Sequence, residues 1–148
     1  NSVGVYCHSS TVRVLSNYFG SSRVAVEFLG QGPYVATGNV FEGCTERTIR
    51  VNSGWDIQVT GNHILPGPGV SVDASVHRSL CPEVCHIDFT GNYWGTSDPA
   101  EIAERIIDYH DFNPIEGFHW AIIDFEPFED DEVRTEQRSW SGMKSLFR

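Results

Sequence analysis

The chain has 148 residues, with 20 acidic against 10 basic side chains and a net charge of −10 at pH 7. That balance argues against nucleic acid or an anionic membrane surface as a partner, since both call for basic patches, and no apolar run reaches the roughly 18 residues of a membrane helix. With 9 Phe, 5 Tyr and 4 Trp to bury, and 14 Gly and 7 Pro between short apolar runs, the composition predicts one all-β domain with tight corners.

The sequence opens at Asn1 with no secretory leader, which predicts a chain processed or cut from a longer one. Either further turns or another subunit is then expected to cover the end ahead of Val3. From there the elements repeat. Val3-Gly4-Val5 alternates, Val12-Arg13-Val14-Leu15 alternates, and Asn17-Tyr18-Phe19 follows. Val24-Ala25-Val26-Glu27-Phe28, Tyr34-Val35-Ala36-Thr37 and Asn39-Val40-Phe41 write the same order, as do Ile49-Arg50-Val51, Ile57-Gln58-Val59-Thr60 and Asn62-His63-Ile64. Val70-Ser71-Val72, Ile87-Asp88-Phe89-Thr90 and Asn92-Tyr93-Trp94 complete a fourth copy. The Asn-to-Asn steps are 22, 23 and 30 residues. A period in the twenties with three short strands per period predicts a parallel β-helix solenoid, right-handed and of about four rungs, with turns about 4.8 Å apart.

Alternation assigns the faces. Val12 and Val14, Tyr34 and Ala36, Ile57 and Val59, and Ile87 and Phe89 point inward; Phe19, Phe41, Ile64 and Trp94 form a further inward stack. Asn17, Asn39, Asn62 and Asn92 then lie above one another at a bend, where stacked amides form a structural ladder. The Gly before three of them supplies backbone freedom. His63 is expected outside, beside this ladder.

The 30-residue step places a long connection over residues 74–86, where function tends to sit on a solenoid. It carries His77, Arg78, Cys81 and Cys85. Cys81-Pro-Glu-Val-Cys85 is a candidate for a local disulfide, although three pairings of four Cys are open. After Trp94 the repeat stops. Asp98, Pro99 and Glu101 read as N-cap, first helical position and capping-box acid. Ile102, Ile106 and Tyr109 share a face of a helix ended by Asn113-Pro114, and the run from Phe118 to Phe125 reads as a closing strand. The chain thus divides into rungs over 1–95, a helix-plus-strand cap over 96–128, and an acidic linker with a mixed tail over 129–148. That tail, with Trp140, Met143, Leu146 and Phe147, is a candidate protein-interaction element.

Gly91-Asn92-Tyr93-Trp94-Gly95-Thr96-Ser97-Asp98, with Ile102, Ile106, Asp108-Tyr109, Asp111 and Phe125-Glu126-Pro127-Phe128, resembles the carboxy-terminal closing segment of bacterial right-handed parallel β-helix repeat proteins. The Gly-Asn rungs upstream are similar to that family's repeat. The resemblance implies the fold over residues 1–128 and a secreted or cell-surface setting. It implies no single activity, because the group holds polysaccharide lyases, hydrolases, epimerases, tailspikes and adhesins.

Chemistry is sparse. Glycan hydrolysis needs two carboxylates within about 5–10 Å. An outward column Glu27, Asn52, Asp73 places two acids roughly 10 Å apart across two rungs. A neighbouring column Gly4, Ala25, Arg50, Ser71 lends Arg50 to a sugar carboxylate, and Arg13, Val35, Gln58, Asp88 form a mixed solvated face. Trp55, exposed at a corner near the long loop, is the candidate for stacking on a sugar, with His77 and Arg78 beside it. Asp108, Asp111 and Asn113 carry oxygen ligands of the kind calcium takes, outside any EF-hand spacing. No other cofactor is expected, nor any other metal, since the His and Cys show no zinc spacing. The expectation is a non-catalytic carbohydrate-binding or surface-structural module. The alternatives are the end of a polysaccharide-active enzyme whose site lies in upstream rungs, and a protein-interaction spacer.

Overall fold

The computed structural model of the protein describes residues 3–75, 77, 84–111 and 121–130. In chain order the strands are β1 (Val3–His8), β2 (Val12–Leu15), β3 (Tyr18–Gly20), β4 (Val24–Leu29), β5 (Tyr34–Thr37), β6 (Val40–Glu42), β7 (Arg47–Val51), β8 (Ile57–Thr60), β9 (His63–Ile64), β10 (Val70–Asp73) and β11 (Cys85–Asp88). A helix α1 (Pro99–Glu104), β12 (Ile106–Ile107), a 3-10 turn (Tyr109–Asp111) and β13 (Ala121–Asp124) follow. The strands stack into three parallel sheets, ordered β1-β4-β7-β10-β12, β13-β11-β8-β5-β2 and β3-β6-β9. This is a parallel β-helix. Three turns carry all three strands, rather than the four expected. In the next turn the third strand shrinks to a bridge from His63 to Tyr93, and a last bridge joins Tyr93 to Glu129.

The inward columns follow the alternation. Val12, Tyr34 and Ile57 are in register, as are Val14, Ala36 and Val59, and Phe19, Phe41 and Ile64. Phe19 and Phe41 stack with ring centroids 5.1 Å apart. Arg13, Val35, Gln58 and Asp88 line up as the solvated face.

The Asn ladder forms at the bend between the second and third sheets. Asn39 Oδ1 accepts from Asn17 N (2.9 Å) and Asn17 Nδ2 (3.3 Å). Asn62 Oδ1 accepts from Asn39 N and Nδ2, both at 2.9 Å, and Asn92 Oδ1 from Asn62 N and Nδ2 at 2.9 and 3.0 Å. Each of these three side chains also donates to a carbonyl one turn earlier, that of Val14, Ala36 or Val59. Gly38, Gly61 and Gly91 precede them at φ of +68, +67 and +68°, and Ser16 takes the same left-handed conformation at +66°. In the last turn Phe128 occupies the ladder position, one residue before Glu129, and ends the column.

Three expectations are overturned. The helix ends at Glu104, not at Asn113. Ile106 and Ile107 pair in parallel with Val72 and Asp73 instead. A β-branched pair that buries Ile106 at an open sheet edge outweighs a three-residue helical spacing. Asp98 does cap α1 through Ala100 N (2.9 Å), but Glu101 reaches the Thr96 hydroxyl (2.7 Å) rather than the Asp98 amide. His63 is buried, its ring edge-on to Tyr93 at 5.7 Å, because it is stacked between Val40 and Tyr93 of the neighbouring turns.

Candidate functional site

The outward face of the first sheet gathers most of the chemistry-bearing residues, in a register the sequence pattern does not single out. Tyr6 pairs with Glu27, Glu27 with Arg50, and Arg50 with Asp73. Arg50 therefore sits between the two acids, where Asn52 was expected. It does not lie in a column with Gly4, Ala25 and Ser71, because Thr48 falls level with Ala25. Ala25, Thr48 and Ser71 are buried, so that expected outward column does not exist as a surface.

Both acids are occupied by their neighbours. Glu27 accepts from Asn52 Nδ2, and its Oε1 lies 3.8 Å from Arg50 Nη1. Asp73 is buried, accepts from Arg47 Nε, and caps the following turn through Ser75 N at 2.9 Å. Burial alone raises the Asp73 pKa, but the Ser75 bonds and the Arg47 guanidinium outweigh it and hold the carboxyl below its usual range. A buried, ionised carboxylate with both oxygens engaged is poorly suited to act as a general acid. Its role is to fix the corner.

A pH dependence follows. Because the folded pKa of Asp73 lies below the unfolded value of 3.8, the stability it contributes is present above that value. It is lost as pH falls through the lower folded pKa. Asp73→Asn is expected to be less stable at pH 7, with the gap closing as pH falls below 3.8 and through the lower folded pKa. Unfolding free energies measured against pH would show the two curves converging; parallel curves would remove the ion pair from the account.

Exposed rings accompany this group at two places. Tyr6 and His8 project from β1 and stack with centroids 6.1 Å apart and planes 7° apart. Trp55 is 44% exposed at the corner after β7. Arg50 Nε and Asn52 Oδ1 are sheltered from solvent with no hydrogen-bond partner among the described residues. Sequence reading missed Tyr6, His8 and Arg47. The signal for the first two was the continuation of the Val3–Val5 alternation through Tyr6-Cys7-His8.

The remaining candidates scatter. His77 is buried, and its Nε2 donates to the Gly54 carbonyl at 2.7 Å, clamping its corner against the Trp55 corner. It is therefore a packing residue rather than a ligand contact. Arg78 and Cys81 lie outside the described residues, as do Asn113 and residues 131–148 of the tail. Cys85 is disulfide-bonded. Cys7 and Cys44 are free and buried, and burial pushes the Cys7 thiol up to about 11. Asp108 accepts from the amides of His110 and Ile123, and Asp111 from the amide of Asp108, each at 2.9 Å. These carboxylates tie the 3-10 turn to β13. Among the described residues no three His, Cys, Asp or Glu are grouped to hold a metal ion, and no helix is long and apolar enough to cross a membrane.

Comparison with protein-family models, with curated proteins and with solved structures finds no match for this chain.

Proposed function

We propose that this chain is a non-catalytic carbohydrate-binding module built on a β-helix. The observation that carries the reading is the outward column Tyr6-Glu27-Arg50-Asp73, whose acids are already paired while aromatic rings stand exposed beside them. Exposed rings offer apolar faces to sugar C–H groups without any proton chemistry. The incomplete bonding of Arg50 Nε and Asn52 Oδ1 lowers the cost of turning these side chains toward a ligand's hydroxyls. A surface with a net charge of −10 favours a neutral glycan over a polyanionic one. The disulfide at Cys85 supports an oxidising setting, hence a secreted or cell-surface protein, and the closing phrase from Gly91 to Asp98 supports a bacterial β-helix repeat protein as its kind.

The test is a glycan array followed by titration of the best neutral oligosaccharide and a reducing-end assay on the same ligand. Binding without cleavage is expected, and Tyr6→Ala should weaken it about tenfold, the equivalent of ~1.4 kcal/mol of lost ring contact. Cleavage by this chain would instead favour a polysaccharide-active enzyme, and an empty array would remove the glycan reading.

A further inference from the structure

The Asn ladder has a direction, and its direction specifies a partner for the β1–β2–β3 end. Each of Asn39, Asn62 and Asn92 makes three bonds to the preceding turn. Its Oδ1 takes the amide N–H and the carboxamide N–H of the preceding Asn. Its Nδ2 donates to the carbonyl three residues before that preceding Asn. Asn17 has the same side chain at the same bend. Among the described residues its Nδ2 reaches only Leu15 O in its own turn and Asn39 Oδ1 in the next, and none donates to its Oδ1.

The rest of this end is open in the same sense. β1, β2 and β3 are the outer strands of their sheets. Val5 and Val12 are only partly buried, whereas their column neighbours Val26, Ile49, Val72, Tyr34 and Ile57 are buried. Among the described residues, three of the four large exposed hydrophobics, Tyr6, Leu15 and Tyr18, belong to this one turn. Unpaired parallel edges bearing apolar surface recruit further strands.

We propose that this end is a docking surface for a parallel β-solenoid turn carrying an Asn in register with Asn17. The occupant must present two N–H donors to Asn17 Oδ1 and a carbonyl to Asn17 Nδ2. It must also pair in parallel with all three edges and continue the inward stacks of Val5, Val12 and Phe19. A second copy of this chain offers none of this. Face to face, its own Asn17 brings an acceptor against an acceptor, and a two-fold axis would make the strands antiparallel. Its opposite end has Phe128 in the ladder position and the edges β12 and β13, so it presents no Asn. The occupant is thus a solenoid turn ending in the donor face of an Asn, continuous with the turn-to-turn contact already present between β1 and β4.

The experiment adds such a turn. A 21-residue copy of Val3 to Arg23, placed directly ahead of Val3 in the full chain, supplies three strands and an Asn one turn above Asn17. The extended chain should be monomeric, with Tm raised by at least about 4 °C, the shift of one or two kcal/mol in a chain of this size. Amide exchange in β1, β2 and β3 should slow at least tenfold. Changing the copy's Asn to Ala should forfeit most of the Tm gain while the copy remains monomeric. An unchanged Tm, with the added segment digested while the remainder persists, would overturn the proposal. So would finding that the natural chain is a stable dimer whose formation protects β1 to β3, since the occupant would then be a second copy.

Discussion

Asn62→Leu is expected to cost about 4–6 kcal/mol, a large share of the roughly 5–15 kcal/mol by which a domain is folded at 25 °C. Asn62 is fully buried and its side chain takes part in five bonds. Its Oδ1 accepts from Asn39 N and Nδ2; its Nδ2 donates to Ala36 O (2.9 Å), Thr60 O (3.1 Å) and Asn92 Oδ1 (3.0 Å). Leu fills similar volume but answers none of them. The Asn39 amide would be left without an acceptor in a water-free bend, at about 1–3 kcal/mol for a buried group without a partner, and the Ala36 and Thr60 carbonyls would each lose a donor. Asn17→Leu should cost only about 1 kcal/mol, because Asn17 is exposed and its Oδ1 accepts nothing from the described residues. Urea denaturation of the two variants gives the comparison. Equal effects would mean that the ladder is an ornament of the turn rather than its fastening. Asn62→Asp, which keeps the acceptor but loses both donations to carbonyls, should fall between Leu and the natural residue.

The ladder was legible because its physics is local. A bend with a left-handed residue at positions such as Gly38 and Gly61, followed by a side chain that is both donor and acceptor, repeats only if turns stack with matching length. The inward columns of the second sheet were legible for a related reason. Val12, Tyr34 and Ile57 each stand five residues before an Asn, so the ladder fixes their register. The first sheet has no such anchor. Ile49-Arg50-Val51 alternates in the same sense whether Ile49 or Val51 meets Val26, because a slip of two residues keeps every side chain on its face. Pattern therefore could not decide between Asn52 and Arg50 as the neighbour of Glu27. The connection lengths decided it, and they vary from turn to turn. Ala25 and Thr48 defeated the reading differently: consecutive buried residues in β4 and β7 break the alternation that assigns faces.

The candidate site suffered most from this ambiguity. Moving Arg50 into the Glu27–Asp73 column converts a permissive pair of acids into a charge-compensated row. Had Asn52 stood between them, the two carboxylates would have faced each other across a neutral gap, the arrangement an inverting hydrolase uses. With Arg50 there, and Arg47 on Asp73, the Asp73 carboxyl is held ionised and Glu27 is engaged by Asn52 and Arg50. The shift of one pairing by two residues is thus what separates a hydrolytic reading of this face from a binding one.

The least legible residue is Arg105, and its replacement should rank next to that of Asn62. Sequence gives a lone Arg after a short helix. In the fold its guanidinium closes the far end of the third sheet, where β9 and Trp94 would otherwise show bare carbonyls to the cap. Nη2 donates to Ile64 O at 2.7 Å, Nη1 to Trp94 O at 2.6 Å, and Nε to Ser71 Oγ at 2.9 Å, while the guanidinium lies 5.7 Å over the Trp94 ring. One planar side chain thereby replaces the N–H groups that another strand would have supplied. Burial lowers its pKa and the charge of Glu101 opposes that, yet the guanidinium stays protonated across the range where the fold exists. Arg105→Leu should destabilise by about 3–4 kcal/mol, from two orphaned carbonyls and a lost ring contact. Arg105→Lys should recover less than half of that, since an ammonium on a flexible stem cannot reach three acceptors in one plane. Denaturant midpoints at pH 5, 7 and 9 make the measurement, and the loss should be the same at each because no proton is exchanged. If Lys restores full stability, charge alone closes this end, and the three-pronged geometry of Arg105 does not matter.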